Sequence, residues 1–423
     1  MRAHAALVLL TAGSPKLMLH VAVIGAGAAG TAAAWALARG GAATVSFNGR
    51  SGATALYSGA LDSDPWERAD ANEPLDPDLV VFAAALGAWS VGAGARRIVT
   101  SSGVVRPARG SDGALLDLER LAGRRIAVVD VARDDWDGVL LARACANSSW
   151  AQKTKTEFVP VAARVLHESV ERRIPAHDFA QLFDEDARAA QLAAALDSAG
   201  RGYDAWLFGP WLGTLPETSE RVRQESELPI GETTSWPGGV AGARFDHARN
   251  RLLAELGVES ASAQVLRLEP RFSGWTVHYR PLAAALTGGP AETREVDAVV
   301  LAIGGLAGGG VRLPGTLGEA LRAAPAGLSL DVAVTFRLAG TVYDGASSLH
   351  GPDFELGGAA ALERLGVAAD GVRAAGQTGL FVAGDVIADR PRTALEAARS
   401  GIAAGRAILK QAQRISQVPR ARL

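Results

Sequence analysis

Gly25, Gly27 and Gly30 stand at the spacing G-x-G-x-x-G, directly after the apolar run Val21-Ala22-Val23-Ile24 and directly before the alanine-rich stretch 31–39. The chemistry such a pattern supports is the holding of an anion. Gly25 permits a tight turn, Gly27 lets backbone approach a phosphate, and Gly30 lets a helix pack closely on a strand. The amides of Ala28 and Ala29, with the positive end of the helix dipole, then favour a bound phosphate. The glycine spacing alone also describes ordinary loops; strand before and helix after make it a nucleotide motif. An acidic side chain usually meets a ribose hydroxyl about 20 residues further on. Here the second strand, Ala43-Thr44-Val45-Ser46-Phe47, is followed by Asn48, Gly49 and Arg50. Asn48 can bond a ribose but brings no charge, so the phosphate site is better specified than an adenosine site.

The far end of the chain carries a second element of the same kind. Gly379-Leu380-Phe381-Val382-Ala383-Gly384-Asp385 is a short apolar strand ending in Gly-Asp. Thr393-Ala394-Leu395-Glu396 then has the T-x-x-E form of a capping box, opening a helix expected to run to about Leu409. This resembles the C-terminal signature of two-dinucleotide-binding flavoproteins, in which the Asp holds the ribityl chain and the helix start faces the flavin ring. A third piece, Val296 to Ala302 followed by Ile303, Gly304 and Gly305, resembles the second strand-and-glycine motif of those proteins, usually written with Thr where Ile303 stands.

Composition sets the outer bounds. With 423 residues, 48% of them hydrophobic, the chain is long enough for two domains with substantial cores. A formal charge of −2 gives no electrostatic case for nucleic acid. The solitary Cys145, expected in a buried helix, excludes an intrachain disulfide and a cysteine-held iron–sulfur cluster. No metal ligand set shows the usual spacing. No apolar stretch reaches the length of a membrane span. Residues 1–18 read as a loose extension, with Met18 as an alternative start and a short signal peptide as the competing reading.

The segment Arg50-Ser51-Gly52-Ala53-Thr54-Ala55-Leu56-Tyr57-Ser58-Gly59-Ala60-Leu61-Asp62 is similar to the segment after the second strand in the flavin-carrying subunit of the anaerobic glycerol-3-phosphate dehydrogenase family. Further matches follow in family order. They include Val99-Thr100 with Gly103 and Arg106, Arg124 to Asp130, and Tyr203 to Pro210. Pro237 with Gly242-Ala243-Arg244 and Gly366 to Leu380 complete the series. The resemblance implies non-covalent FAD or FMN, with Ser58 and Gly59 at the cofactor. It implies a flavin-dependent dehydrogenase moving electrons from a small hydroxylated substrate towards quinone. Its partners would be a larger catalytic subunit and an iron–sulfur subunit that anchors the complex at the inner face of the cell membrane, the chain itself being cytoplasmic. FMN is the usual assignment for the corresponding chain of that family and suits Asn48. Two departures, Asp385 and Arg390-Pro391-Arg392-Thr393, lie close to the expected flavin ring and favour a stand-alone FAD oxidoreductase of another small substrate. A flavin-holding relay without its own substrate site is the third reading.

The elements that must position these residues alternate. An amphipathic helix is expected over 245–257, with Phe245, Ala248, Leu252 and Leu256 on one stripe, then strands over 258–268 and 275–279. Strand 126–131, helix 138–146, helix 184–199 and strand 205–209 form a second α/β unit. The fold expected is therefore α/β. A Rossmann-like flavin-binding domain, with helices on the faces of a parallel sheet, occupies 19–106, 238–322 and 371–411. A second α/β domain is inserted at 107–237, with a return segment at 323–370. The opening and closing strands should lie side by side.

For the substrate, oxidation of a hydroxyl needs a base, and an anionic substrate needs a planar guanidinium. Arg244, in a glycine-rich turn before a helix, is the leading anion clamp, followed by Arg392 beside the flavin-facing helix start. Among the histidines His350, in a glycine-rich loop, is the candidate base, ahead of His177 and His247.

Overall fold

A computed structural model describes residues 18–49, 51–63, 74–305, 307–312 and 366–417, together with four short strands between 324 and 343. Arg50 and His350 lie outside the described residues.

The central feature is a seven-stranded sheet. Its order in space is Glu259–Ala261, Ala43–Phe47, His20–Ile24, Ala298–Leu301, Leu380–Val382, Arg373–Ala374, Ala369–Asp370. The first five strands are parallel and the last two join antiparallel. Contrary to the expectation from sequence, the opening and closing strands are not neighbours: Ala298–Leu301 lies between them, pairing with both. The reason is the crossover order. The chain builds outward to Ala43–Phe47 and Glu259–Ala261, then returns to the other side of the opening strand.

Alternation along each strand makes three layers. Val21, Val23, Val300 and Phe381 face helices Ala28–Arg39, Val240–Glu255 and Ala394–Gln417. Ala22, Ile24, Val299, Leu301 and Val382 face an antiparallel sheet of Glu292–Val296, Trp275–Pro281 and Ala263–Pro270. The stretch expected as one strand over 258–268 is thus two, Glu259–Ala261 and Ala263–Pro270, which enter different sheets.

Helices Ala28–Arg39 and Ala394–Gln417 pack on one another through small residues. A Cβ on Gly401 would sit 2.1 Å from the Ala29 carbonyl oxygen, and one on Gly405 would sit 2.9 Å from the Ala36 Cβ. The second helix runs well past Leu409, its expected end, to Gln417. The capping box is half formed. Glu396 N–H donates to Thr393 Oγ1 at 3.3 Å, while the Glu396 carboxylate turns to Arg399 instead of back to the cap. Thr393→Ala is expected to lower stability by about 1 kcal/mol, seen as a shifted denaturant midpoint with an unchanged slope.

Residues 125–232 carry a separate four-stranded parallel sheet, ordered Glu157–Ala162, Arg125–Asp130, Ala205–Phe208, Ile230–Glu232. Its two faces are covered by different helices. Leu141 of Gly138–Ala146 packs with Ile126 and Val128, whereas Leu192 and Leu196 of Asp186–Ala199 pack with Ala127 and Val129. Cys145 is buried in the first of these helices, and burial pushes its thiol up to about 12. An antiparallel sheet of Ala60–Leu61, Val105–Asp112 and Trp89–Val99 leads into this unit. Among the described residues no helix is long and apolar enough to cross a membrane, and no group of three or more His, Cys, Asp or Glu could hold a metal ion.

Candidate functional site

A cleft of about 330 Å³ opens at the carboxyl ends of the parallel strands. In an open α/β sheet this edge is where ligands lodge. The opening strand ends there in the glycine turn, and the hydrogen bond from Gly25 N to Phe47 O (2.9 Å) ties that turn to the second strand. Gly25 has φ of +105°, and a Cβ on it would fall 2.2 Å from the Ala302 carbonyl oxygen. No other residue fits both the dihedral and the space. A Cβ on Gly30 would overlap the Gly25 carbonyl oxygen at 1.8 Å, so Gly30 sets how closely the helix approaches the turn.

Many of the residues read from sequence as cofactor-binding come together here. Gly25, Gly27, Ala28, Ala29, Gly49, Ile303, Gly304, Gly384 and Asp385 all line the cleft. Gly30, Asn48, Ser58, Gly59, Thr393 and Ala394 do not. Gly30 is packed under the turn. Asn48 spends its N–H on Ala261 O (2.8 Å), and Gly59 O and Ser58 O accept from Asp112 and Ser235. Thr393 donates its hydroxyl to Ser63 O at 2.9 Å. It is Ala397, one turn into the helix, that reaches the cleft.

Sequence reasoning passed over Thr54 and the stretch Ala263-Gln264-Val265, which also line it. The Thr54 hydroxyl accepts from Ala28 N–H at 3.0 Å and so covers the start of the glycine-loop helix, whose own N-cap, Gly27, has no side chain to do so. A signal was available, since Thr54 lies within the stretch 50–62 that carries the family resemblance. Arg249 was also passed over. Its buried guanidinium donates to the Ala26 carbonyl at 3.1 Å and pairs with Asp246 at 2.6 Å, which fixes the glycine loop from behind.

Asp385 is the charged side chain of the lining. Burial pushes its carboxyl up to about 6, with Arg392 nearby pulling the other way. Arg392 does not line the cleft but lies near Asp385: a Cβ on Gly305 would lie 2.9 Å from one Arg392 terminal nitrogen and 2.9 Å from Asp385 Cβ. The raised value has a consequence for stability. Between the ordinary carboxyl pKa and about 6 the folded chain binds the extra proton, so stability falls as pH rises through that window and stays lost at neutral pH. Asp385→Asn is therefore expected to stabilise the cofactor-free protein at pH 7, by about 2 kcal/mol, and to flatten its melting temperature between pH 4 and 6.

Arg244 lies elsewhere. It is 1% exposed, with Nε 3.0 Å from Asp112, one terminal nitrogen 2.5 Å from Glu232 and the other donating to Gly213 O at 2.7 Å. Tyr57 adds a hydrogen bond to Asp112 at 3.0 Å, and Leu212 N–H donates to Glu232. A guanidinium buried to 1% exposure and flanked by two carboxylates is already neutralised and shut off from a substrate anion. The motif that looked like an anion clamp is a buried tie joining the helix Val240–Glu255 to the second α/β unit. His177 and His247 do not line the cleft.

No protein-family model matches the chain, and no curated protein matches it. Solved structures with a related layout include a flavoprotein/dehydrogenase from Cytophaga hutchinsonii, 11% identical, with 94% of this chain and 79% of that one covered at a TM-score of 0.36. AlpK is 13% identical, with 94% and 62% covered and a TM-score of 0.34. The thioredoxin reductase of T. acidophilum is 11% identical, with 93% and 98% covered and a TM-score of 0.24. The chain spans about three fifths of the length of AlpK. None of the three is named a glycerol-3-phosphate dehydrogenase. Likeness at this level carries no function to this chain.

The residues present fit a dinucleotide. Glycines clear the space at the helix start, and the lining includes Gly49 and Ala263 to Val265 as well as Gly384 and Asp385, which follow strands on opposite sides of the opening strand.

Proposed function

We propose that the chain is a flavin-dependent oxidoreductase that binds FAD non-covalently in this cleft. The observation that carries the reading is that Gly27 and Asp385, from opposite ends of the sequence, line one cleft on either side of a helix N-terminus. FAD is favoured over FMN because the cleft continues past the phosphate position to Gly49 and Val265, space that a mononucleotide leaves unused.

In this reading the backbone around Gly27 and the dipole of helix Ala28–Arg39 hold the phosphates. Asp385 accepts hydrogen bonds from the ribityl hydroxyls, and Arg392 partly offsets the burial that raises its pKa. The bound flavin supplies the hydride acceptor. Asp385→Asn is expected to weaken flavin retention by about 1.5–3 kcal/mol, for lost bonds to a charged acceptor, while raising apo stability. Equilibrium dialysis set beside thermal melts reads the two opposite effects, and unchanged flavin affinity would remove Asp385 from the site.

For the substrate we propose a small hydroxylated compound, in keeping with the resemblance to the flavin-carrying chain of the anaerobic glycerol-3-phosphate dehydrogenase. Electrons would leave through partner subunits, since one buried cysteine cannot hold an iron–sulfur cluster. The test is anaerobic addition of glycerol 3-phosphate, other polyol phosphates and hydroxy acids to the yellow protein. Bleaching by one of them supports a dehydrogenase. Reduction by dithionite with bleaching by none of them would leave a flavin relay.

A further inference from the structure

Helix Val240–Glu255 contributes no residue to the lining of the glycine-rich cleft, yet it braces the backbone around Gly27. Its first turn packs on the turn Ala53–Leu56. A Cβ on Gly242 would fall 2.2 Å from the Ala55 carbonyl oxygen, and the neighbouring Thr54 covers Ala28 N–H. Two turns further on, Arg249 donates through Nη1 to the Ala26 carbonyl at 3.1 Å.

The setting of Arg249 is that of a fixed, buried charge. The residue is 8% exposed, and Nη1 also pairs with Asp246 at 2.6 Å. Nε and Nη2 donate to the Asn250 side-chain oxygen at 3.1 and 3.0 Å. The Asp246 side chain is 39% exposed, so water screens the carboxylate while protein surrounds the guanidinium. Fastening the loop does not by itself call for a cation, because Thr31 Oγ1 already donates to the Ala26 carbonyl at 3.3 Å. Burying a guanidinium costs more than burying a neutral donor.

The cleft supplies the need. Among the described residues no Lys or Arg lines it, and its charged side chain, Asp385, is acidic. A pyrophosphate brings two negative charges, against which a helix start offers roughly half a positive one. The Ala26–Gly27 peptide is trans, so its N–H points opposite to its C=O. With the oxygen held by Arg249, the Gly27 N–H is directed away from helix Val240–Glu255, where Ala26 and Gly27 line the cleft. A cation on the oxygen polarises the peptide and makes that N–H a stronger donor.

We propose that Arg249 is a positioning residue for the pyrophosphate of FAD. It acts through the Ala26–Gly27 peptide, aiming the N–H at the phosphate and placing a positive charge behind it. The inference rests on the FAD reading of the cleft.

The test compares wild type, Arg249→Met and Arg249→Lys by FAD titration, melts of the flavin-free protein and phosphorus NMR of bound FAD. Met keeps much of the volume, and the Asp246 and Asn250 groups it leaves behind reach water, so this variant should fold. FAD affinity is expected to fall about tenfold in Arg249→Met. The pyrophosphate resonances should shift while the flavin absorption spectrum stays unchanged. The bond to Ala26 is single, not bidentate, so Lys should restore most of the affinity and return the resonances towards wild type. Unchanged affinity in folded Arg249→Met, or a loss that Lys does not repair, would overturn the proposal. So would phosphorus resonances that stay in place while affinity falls, the mark of a purely structural tie. A wild-type protein that takes up no FAD would remove the FAD reading together with this inference, whereas FAD uptake indifferent to Arg249→Met removes this inference alone.

Discussion

Tryptophan in place of Gly27 is expected to give a folded but colourless protein. Gly27 has φ of −71° and ψ of −170°, a backbone conformation open to any residue, so the substitution carries no dihedral strain. A Cβ there would lie 3.1 Å from Thr54 Oγ1, a contact relieved if that side chain gives by a few tenths of an ångström. The indole then projects into the space where phosphate approaches the helix start. Losing two or more charge-assisted bonds at that point corresponds to about 4 kcal/mol, or about a thousandfold in flavin affinity. The same experiment at Gly25 would be uninformative, because there the new side chain meets the Ala302 carbonyl and damages the fold itself. Fluorescence titration with FAD, set beside the melting temperature of the flavin-free variant, separates loss of binding from loss of folding. Wild-type affinity in a folded Gly27→Trp protein would place the cofactor elsewhere.

Arg244→Met is expected to be the most damaging of the substitutions for stability, at about 3–5 kcal/mol. It removes the cation between Asp112 and Glu232 and leaves two buried carboxylates facing one another. Burial already pushes Glu232 above the ordinary carboxylate range even with Arg244 beside it. Without the guanidinium the Glu232 carboxyl is pushed further up, so the variant recovers stability as pH falls through its folded-state value. Denaturant unfolding at pH 5 and pH 7.5 should therefore show a smaller deficit at the lower pH. A deficit that is absent at pH 7.5, or that grows on acidification, would contradict the buried-tie assignment.

These two residues show what was legible in the sequence and what was not. The glycine motif could be read because its requirements are local. Turn, phosphate approach and helix packing each demand glycine at a fixed spacing, and the flanking strand and helix have plain periodicity. The Gly384-Asp385 strand end and Ile303-Gly304 are local signals of the same kind, and they line the same cleft. Arg244 was misjudged because its setting is not local. A glycine-rich turn before a helix looks like an anion site, but the carboxylates that occupy the guanidinium come from positions 112 and 232. Nothing in the sequence near Arg244 marks either one as its partner.

Strands were missed for a related reason. Trp89–Val99 carries Gly92 and Gly94 and shifts register between Val91 and Arg96, so it lacks the clean alternation that marks a half-buried strand. Glu157–Ala162 has a proline within it, yet as the edge strand of its sheet it pairs on one side alone and tolerates one. The neighbour relation of the opening and closing strands failed because strand order is a property of the crossovers. Ala298–Leu301 was recognised as a strand, but its place between the other two follows only from the return of the chain.

The central claim is that one FAD lies across the helix start at Gly27 with its ribityl chain at Asp385. Its most direct test is to purify the protein, release the chromophore by heat and identify it by chromatography against FAD and FMN standards. One equivalent of FAD per chain is the expected result. A folded protein that is colourless and stays so after incubation with FAD would contradict the claim, and release of FMN alone would contradict the dinucleotide assignment.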